Sequence, residues 1–210
     1  VDVDVKDQKT SGTLKIYVTS GTNTGNNTDW IFQQLLDHLA VTTSEPTTLA
    51  AGASIHVTIT ARDNNLVAIG SGYAGNKTLT FSGPSSAPDG TTPKASDDNG
   101  TSVAFGSPTT VNFTCGANGC EASTTLVLYK AETVSVDVTD GTYSSSGNES
   151  YDLDLTVQPG SAASLKFLTQ PAPLSLAASV VFTTQPVVGL VDTYQNTATQ
   201  ATNEVTLEAV

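Results

Sequence analysis

The sequence predicts an all-β protein, an antiparallel β-sandwich, and three observations lead to this fold class. Apolar and polar residues alternate over short segments, turn-forming residues separate these segments, and related segments recur along the chain. Alternation places one face of a strand in a core and the other in water. Short strands that follow one another closely and are joined by turns are typical of an antiparallel sandwich.

The predicted strands are distributed over most of the chain. Gly, Asn, Asp, Ser or Pro bounds nearly every apolar segment, so each strand has a turn signal at its ends. Alternation is clearest in the segments 1–5, 55–59, 79–81, 134–138 and 151–155. These segments therefore predict strands that are buried on one face only.

One segment departs from this pattern. Residues 29–39 follow a polar linker, and their apolar residues have the spacing of a helix face. Thr28 or Asp29 can serve as the N-cap. We therefore predict a short helix near residues 29–38, although its end must turn into a strand at residues 39–41.

Internal repetition is the most informative feature of the sequence. Segments 38–43, 60–65 and 77–80 resemble segments 164–169, 190–196 and 205–208, at separations between 126 and 129 positions. A further match joins segments 3–7 and 136–140. Each match is weak alone, but all of them occur in one order at nearly one spacing.

The repetition predicts how the chain is divided. Residues 1–20 are interpreted as closing strands of a preceding repeat, 21–37 as a linker with the short helix, and 38–160 as one complete sandwich. Residues 161–210 are then opening strands of a following repeat, completed by a neighbouring subunit or by further chain. An incomplete sandwich exposes apolar faces and strand edges, which favours pairing with another chain.

The two cysteines predict the compartment. Cys115 and Cys120 enclose an Asn-Gly pair, which is a hairpin-turn signal that brings its ends within disulfide reach. A metal site would need further Cys or His nearby, and the sequence has none there. We predict a disulfide and an extracellular or cell-surface location; two free thiols in a reducing cell are the alternative.

Charge and hydropathy exclude two classes of partner. The chain has 210 residues with 8 Lys+Arg and 20 Asp+Glu, for a net charge of −12. So few basic residues, without a run of them, cannot neutralise many phosphates, and nucleic-acid binding is excluded. No run of about 18 apolar residues occurs, so membrane insertion is not predicted either.

The sequence resembles a known family, the bacterial immunoglobulin-like (Big-type) tandem repeats of large cell-surface and extracellular proteins. The resemblance lies in segments 36–83, 126–147, 157–171 and 187–199. It implies tandem immunoglobulin-like antiparallel β-sandwiches. It also implies that the Asp-x-x-x-Asn element at 192–196 follows a strand, and that the Pro-Gly-x-Ala-x-x-Leu element at 159–165 marks a junction between domains. The cysteine pair and the helical segment are departures from the family pattern.

Catalytic chemistry has little support in the sequence. The only histidines, His38 and His56, lie in different predicted elements. The chain has no Gly-x-Ser-x-Gly, no phosphate-binding glycine loop and no His-Glu-x-x-His motif. We therefore predict that the protein is not an enzyme.

Calcium is the one cofactor that the sequence suggests, because it prefers hard oxygen ligands in turns and along strands. The alternative is an acidic surface that keeps the protein soluble, in agreement with the net charge. The candidate ligands are Asp2, Asp4, Asp97, Asp98, Asp137 and Asp140.

Glycosylation is a second candidate modification of the chain. An Asn-x-Ser/Thr sequon is an acceptor when it is exposed in a secreted protein, although an Asn-, Thr- and Ser-rich chain also contains such sequons by chance. The sequons are at Asn26, Asn76, Asn99, Asn112 and Asn148.

Two apolar segments are the candidate interface residues, namely Val1, Val3 and Val5 with Trp30, Ile31, Phe32 and Leu35. The alternative for the second segment is packing between consecutive domains of one chain. We predict a structural subunit of an extracellular filament, sheath or surface layer. Its partners are copies of itself, joined head to tail by inter-subunit strand complementation. The alternative function is an adhesin or carbohydrate-binding surface module with a glycan ligand.

Overall fold

A computed structural model describes residues 5–6, 16–18, 23–26, 30–32, 35–64, 66–147, 150–175, 177, 179–199 and 201–202. All regular secondary structure in this part of the chain is β-strand. It therefore contains no helix long and apolar enough to cross a membrane. The predicted fold class, an all-β antiparallel sandwich, is confirmed.

The strands are numbered here in chain order. They are β1 (Val5–Lys6), β2 (Ile16–Val18), β3 (Asn23–Gly25), β4 (Trp30–Phe32), β5 (His38–Thr42), β6 (Thr48–Ala50), β7 (Ser54–Arg62), β8 (Gly75–Ser82), β9 (Lys94–Ser96), β10 (Ser102–Ala104), β11 (Pro108–Gly116), β12 (Gly119–Val127), β13 (Thr133–Thr139), β14 (Leu153–Gln158), β15 (Ser164–Thr169) and β16 (Val187–Val191).

Strands β5 to β14 form one hydrogen-bonded network of ten strands, which we call the sandwich. One layer has the order β5-β7-β12-β9-β10, and the other has the order β11-β8-β13-β14-β6. Strand β11 joins the layers, because residues 114–116 pair with β12 and residues 108–113 pair with β8. Strand β6 pairs with β14 in parallel, whereas the other pairs of the sandwich are antiparallel.

The core lies between the two layers and follows the alternation of the sequence. In β7, Ile55, Val57 and Ile59 are buried, and the residues between them face outward to different degrees. Burying an aliphatic or aromatic side chain of this size stabilises a fold by about 1.5–3 kcal/mol. The largest fully buried side chains are Phe81, Phe113, Leu39, Ile55, Ile59, Leu79, Leu126, Leu128 and Leu155.

The short helix predicted for residues 29–38 is wrong. Trp30–Phe32 is strand β4, which pairs in parallel with Ile16–Val18, and residues 35–37 are irregular. Aromatic and β-branched residues favour extended backbone, and a strand partner satisfies the backbone groups of this run. Leu39 reaches the core from β5, and Leu36 packs against that core just before the strand.

The predicted disulfide is present. Cys115 and Cys120 face each other across the β11–β12 hairpin, with their Cα atoms 3.9 Å apart. Within this hairpin, Gly119 has a φ of 107°, and a Cβ added there would lie 2.4 Å from the Cβ of Ala68. The bond therefore closes the hairpin at the point where β11 passes from one layer to the other.

Replacing both Cys115 and Cys120 with alanine is expected to lower the free energy of unfolding by about 2 kcal/mol, the value expected for so short a closed loop. Urea unfolding, followed by far-UV circular dichroism, measures this change. The unsubstituted protein under reducing conditions is the matched control and should unfold at the same urea concentration as the variant. An unchanged midpoint in both would contradict a stabilising role for the bond.

Candidate functional site

The strand pair β15–β16 has the same register as the pair β5–β7. Leu39 pairs with Ala61 in the sandwich, and Leu165 pairs with Leu190 after it. The first positions differ by 126 residues and the second by 129, which are the separations found in the sequence. We call residues 159–202 the C-terminal segment. Its opening strands thus copy the arrangement of the first strands of the sandwich.

The turns that follow β7 and β16 are also alike. In both 63–67 and 192–196, the first residue donates its N–H to the carbonyl of the fifth at 2.9 Å. The fourth residue of each turn donates its N–H to the carbonyl of the first at 3.1 Å. That fourth residue has a φ of 65° in one turn and 67° in the other. We call these two turns the head turns.

The carboxylate of Asp192 organises the second head turn. It is buried and accepts hydrogen bonds from the backbone N–H groups of Tyr194 and Asn196, both at 2.9 Å. It also accepts the Asn196 side-chain amide at 2.9 Å and the Gly160 N–H at 2.8 Å. Burial raises the pKa of Asp192, but these hydrogen bonds outweigh it and hold the pKa below its ordinary value.

Asn196 connects this turn to the sandwich. Its side-chain amide donates to the carbonyl of Tyr129 at 2.7 Å. Its carbonyl oxygen Oδ1 accepts the backbone N–H of Ala131 at 2.9 Å. Both partners lie in the loop between β12 and β13, so one buried side chain satisfies two backbone groups of another element.

Aromatic packing completes the contact. The rings of Tyr129 and Tyr194 lie with centroids 4.9 Å apart at an angle of 59°. Burial, and then the neighbouring Tyr194, raise the pKa of Tyr129. Gly52 lies beneath Tyr194, and a Cβ at Gly52 would come within 2.4 Å of the Tyr194 hydroxyl oxygen. We call this set of contacts the junction; it fixes the C-terminal segment against the end of the sandwich.

The predicted interface residues lie mostly where side chains are not described. Leu35 is exposed. Val5 and Trp30–Phe32 lie in strands β1 and β4, whose apolar side chains have no described position. Val1 and Val3 lie outside the described residues. The interface therefore stays a prediction.

The four predicted calcium ligands that the structure describes are engaged in hydrogen bonds. Asp97 accepts the N–H groups of Asn99 and Thr101 within its own turn, and Asp137 accepts the Ser145 hydroxyl. The described residues contain no group of three or more His, Cys, Asp or Glu side chains placed to hold a metal. Asp2 and Asp4 lie outside the described residues.

Asp140 takes part in a network that sequence reasoning missed. Its carboxylate accepts the Tyr73 hydroxyl at 2.5 Å and the N–H groups of Thr142 and Tyr143. Burial raises the pKa of Asp140, but these bonds and the nearby Lys77 outweigh it and lower the pKa. Burial and the bond to Asp140 raise the pKa of Tyr73. The network ties the loop before β8 to the turn after β13.

Two sequon asparagines bond to Asp98, and a third bonds to one of these two. The Asn76 and Asn99 amides donate to the Asp98 carboxylate at 3.3 and 3.1 Å, and the Asn112 amide donates to the Asn76 carbonyl oxygen at 2.5 Å. These asparagines are exposed. Asn26 is also exposed, and Asn148 lies outside the described residues. Glycosylation stays a prediction at all five positions.

The junction was only partly foreseeable. Asp192, Asn196 and Gly160 belong to the two elements that the family resemblance quoted. No sequence pattern indicated the roles of Tyr129 and Ala131, because their backbone groups make the contacts. Since any residue offers a backbone N–H and carbonyl, the sequence does not mark such partners.

Comparisons with known proteins gave structural neighbours only. No family model matches the chain, and no curated protein matches it. One similar solved structure is FdeC, an Escherichia coli adhesin, with 19% identity, a TM-score of 0.39, and coverage of 77% of this chain and 43% of that one. This chain thus spans less than half the length of that structure. Another is a conjugative transposon lipoprotein from Bacteroides eggerthii, with 11% identity, a TM-score of 0.32, and coverage of 57% and 95%.

Proposed function

We propose that the chain is a structural subunit of an extracellular filament, sheath or surface layer. In this assembly, Big-type immunoglobulin-like repeats stack head to tail, and strands of a neighbouring subunit complete the C-terminal segment. One observation carries the proposal: β15–β16 copies β5–β7, yet its apolar face is open. Leu39 and Val41 are 0% and 2% exposed, whereas their counterparts Leu165 and Phe167 are 54% and 50% exposed.

The sandwich shows which kind of strand covers the equivalent face of β5. Strand β13 packs against β5, and its Val136 and Val138 are buried. The outer edge of β5 is bonded as well, since Leu39 and Val41 donate their N–H groups to carbonyls of residues 144 and 151. Among the described residues, β16 is the only strand that pairs with β15. An exposed apolar face beside an unpaired strand edge favours the addition of a strand from another chain.

The first residues of the chain supply a strand of the right pattern. Valine and aspartate alternate over residues 1–5, and valine alternates with serine and aspartate over residues 134–138 of β13. A neighbouring subunit can therefore present three valines to the open face while its aspartates face water. Entry of residues 1–5 from one subunit into the C-terminal segment of the next would build a linear polymer.

The junction and the disulfide support an extended, load-bearing role outside the cell. Buried hydrogen-bonded networks rigidify the elements that they join, so the junction favours a fixed angle between successive repeats. The disulfide requires an oxidising compartment. A rigid head-to-tail stalk is a structural arrangement rather than a catalytic one.

Deleting residues 1–8 is expected to abolish polymerisation, because the deletion removes the complementing strand. Electron microscopy of the purified protein should show filaments or a lattice for the unchanged chain and monomers for the shortened one. The variant Val3→Asp/Val5→Asp should behave like the deletion, since it alters the inward face. The matched control Asp2→Ser/Asp4→Ser should still polymerise, because it alters the outward face.

Two results would count against the proposal. Normal filaments from the shortened chain would disprove strand exchange. Monodisperse monomers of the unchanged chain that bind a glycan array would favour the alternative of an adhesin or carbohydrate-binding module.

A further inference from the structure

A second pair of turns matches at the opposite end of the repeats. In 50–53 and 177–180, the fourth residue donates its N–H to the carbonyl of the first, at 3.0 and 3.2 Å. The third residue has a positive φ in both turns, 83° at Gly52 and 69° at Ser179. We call these the tail turns. The correspondence thus extends from the first strands to both ends of each unit.

The junction shows how a tail meets a head in this protein. The tail turn 50–53 of the sandwich lies against the head turn 192–196 of the C-terminal segment, since Gly52 contacts Tyr194. One head turn and one tail turn do not take part in this contact. They are the head turn 63–67 of the sandwich and the tail turn 177–180 of the C-terminal segment.

These two remaining surfaces are apolar and exposed. On the free head, Leu66 and Val67 occupy the positions that Gln195 and Asn196 hold in the junction, and Leu35 lies exposed just before β5. The free tail exposes Leu174, Val180 and Val181, and Val181 is 77% exposed. The pairing of Asp37 with Arg62, and of Ala172 with Thr184, brings the apolar residues of each surface near one another. Exposed apolar patches mark interaction surfaces.

The free head and the free tail are both apolar, so they fit each other better than either fits a polar contact such as the junction. Val67 cannot form the side-chain hydrogen bonds that Asn196 makes, so the free head offers apolar contact instead. Neither set of residues carries a charge, so their contact places no carboxylate against another in a chain with a net charge of −12.

We propose that the tail surface of one subunit, formed by Leu174, Val180 and Val181, binds the head surface of a second copy, formed by Leu35, Leu66 and Val67. The inference rests on the proposed function and adds a second contact to strand complementation. Asp37 donates its N–H to the carbonyl of Arg62, so Leu35 lies beside the head turn, where the neighbouring tail binds.

Crosslinking of two single-cysteine variants tests the contact in the full chain. Leu66→Cys and Ser179→Cys are prepared separately, mixed, and treated with a short bismaleimide; the native cysteines are bonded to each other. A covalent dimer is expected in the mixture and not with either variant alone. A mixture of Leu66→Cys with Ser86→Cys, an exposed position on a loop of the sandwich, is the matched control and should give no dimer.

A charge variant gives an independent measurement. Leu66→Asp/Val181→Asp is expected to weaken self-association about tenfold or more, since it places like charges at the centre of the contact. Light scattering across a concentration series measures this change, and Ser86→Asp should have no effect.

The outcomes separate this inference from the proposed function. Two results together would overturn the end contact and leave strand complementation intact. The first is normal polymers in which Leu66→Cys and Ser179→Cys do not crosslink, and the second is normal polymers from the charge variant. Absence of any self-association would overturn both. Protection of Leu66→Cys from maleimide in a monomer would show that residues of the same chain cover the head, and would also overturn the contact.

Discussion

Replacing Asn196 with alanine is expected to release the C-terminal segment from the sandwich while the sandwich stays folded. The substitution removes the hydrogen bonds to the Tyr129 carbonyl and the Ala131 N–H, both in the loop between β12 and β13. A buried polar group without a partner costs about 1–3 kcal/mol. Two such groups, both on partly buried residues, give an expected loss of about 2 kcal/mol or more.

Hydrogen exchange measured by mass spectrometry locates the effect. Amides at Ala131, Gly160 and residues 187–198 should exchange faster in Asn196→Ala, whereas those of β7 and β12 should be unchanged. Thr193→Ala is the matched control, because Thr193 lies in the same turn and is exposed. Exchange at Gly160 equal to that of the unchanged chain would show that Asn196 does not hold the segment in place.

The pKa of Asp192 adds a pH dependence to the same test. A carboxylate whose native pKa is lowered stabilises the native state above its unfolded pKa of about 3.9. That contribution is lost as the pH falls through the lowered native pKa. The junction should therefore loosen below about pH 4. In Asp192→Asn the protection of the Gly160 amide, relative to its exchange in the unfolded chain at the same pH, should be low at every pH, with no acid step.

Sequence alternation predicted the strands well because it reports burial directly. In β7 and β13 the alternating residues lie on the core face of the sandwich, as expected. The helical spacing of residues 29–39 was misleading, because its apolar residues serve different elements. Trp30–Phe32 form β4, and Leu39 belongs to β5. A periodic pattern records spacing, and it cannot tell one continuous face from two adjacent segments.

Alternation also leaves open whether a face is covered. Leu39 and Leu165 occupy the same place in equivalent strand pairs, but one is buried and the other exposed. The difference comes from strands far away in sequence that pack on one face and, among the described residues, not on the other. The junction poses the same problem, since Asn196 contacts backbone groups more than sixty positions before it. Local patterns predict elements, whereas long-range partners decide which faces become sites.

This pair of leucines gives the second large expected effect. Leu39→Ala is expected to lower the free energy of unfolding of the sandwich by about 2–5 kcal/mol, because it leaves a cavity among fully buried side chains. Leu165→Ala should change the stability of the monomer by about 0.5 kcal/mol or less, because half of its side chain already contacts water. Urea unfolding in the chain lacking residues 1–8, which is expected to stay monomeric, measures both.

Assembly should remove this difference between the effects of Leu39→Ala and Leu165→Ala. If the neighbouring strand covers Leu165 as β13 covers Leu39, Leu165→Ala in the full chain should weaken the polymer to a degree comparable with a core truncation. The dissociation of polymers on dilution, followed by light scattering, measures the loss, and Lys166→Ala on the opposite face of β15 is the matched control. Equal polymer stability for Leu165→Ala and Lys166→Ala would mean that the apolar face of β15 stays open in the assembly, and strand complementation at that face would be wrong.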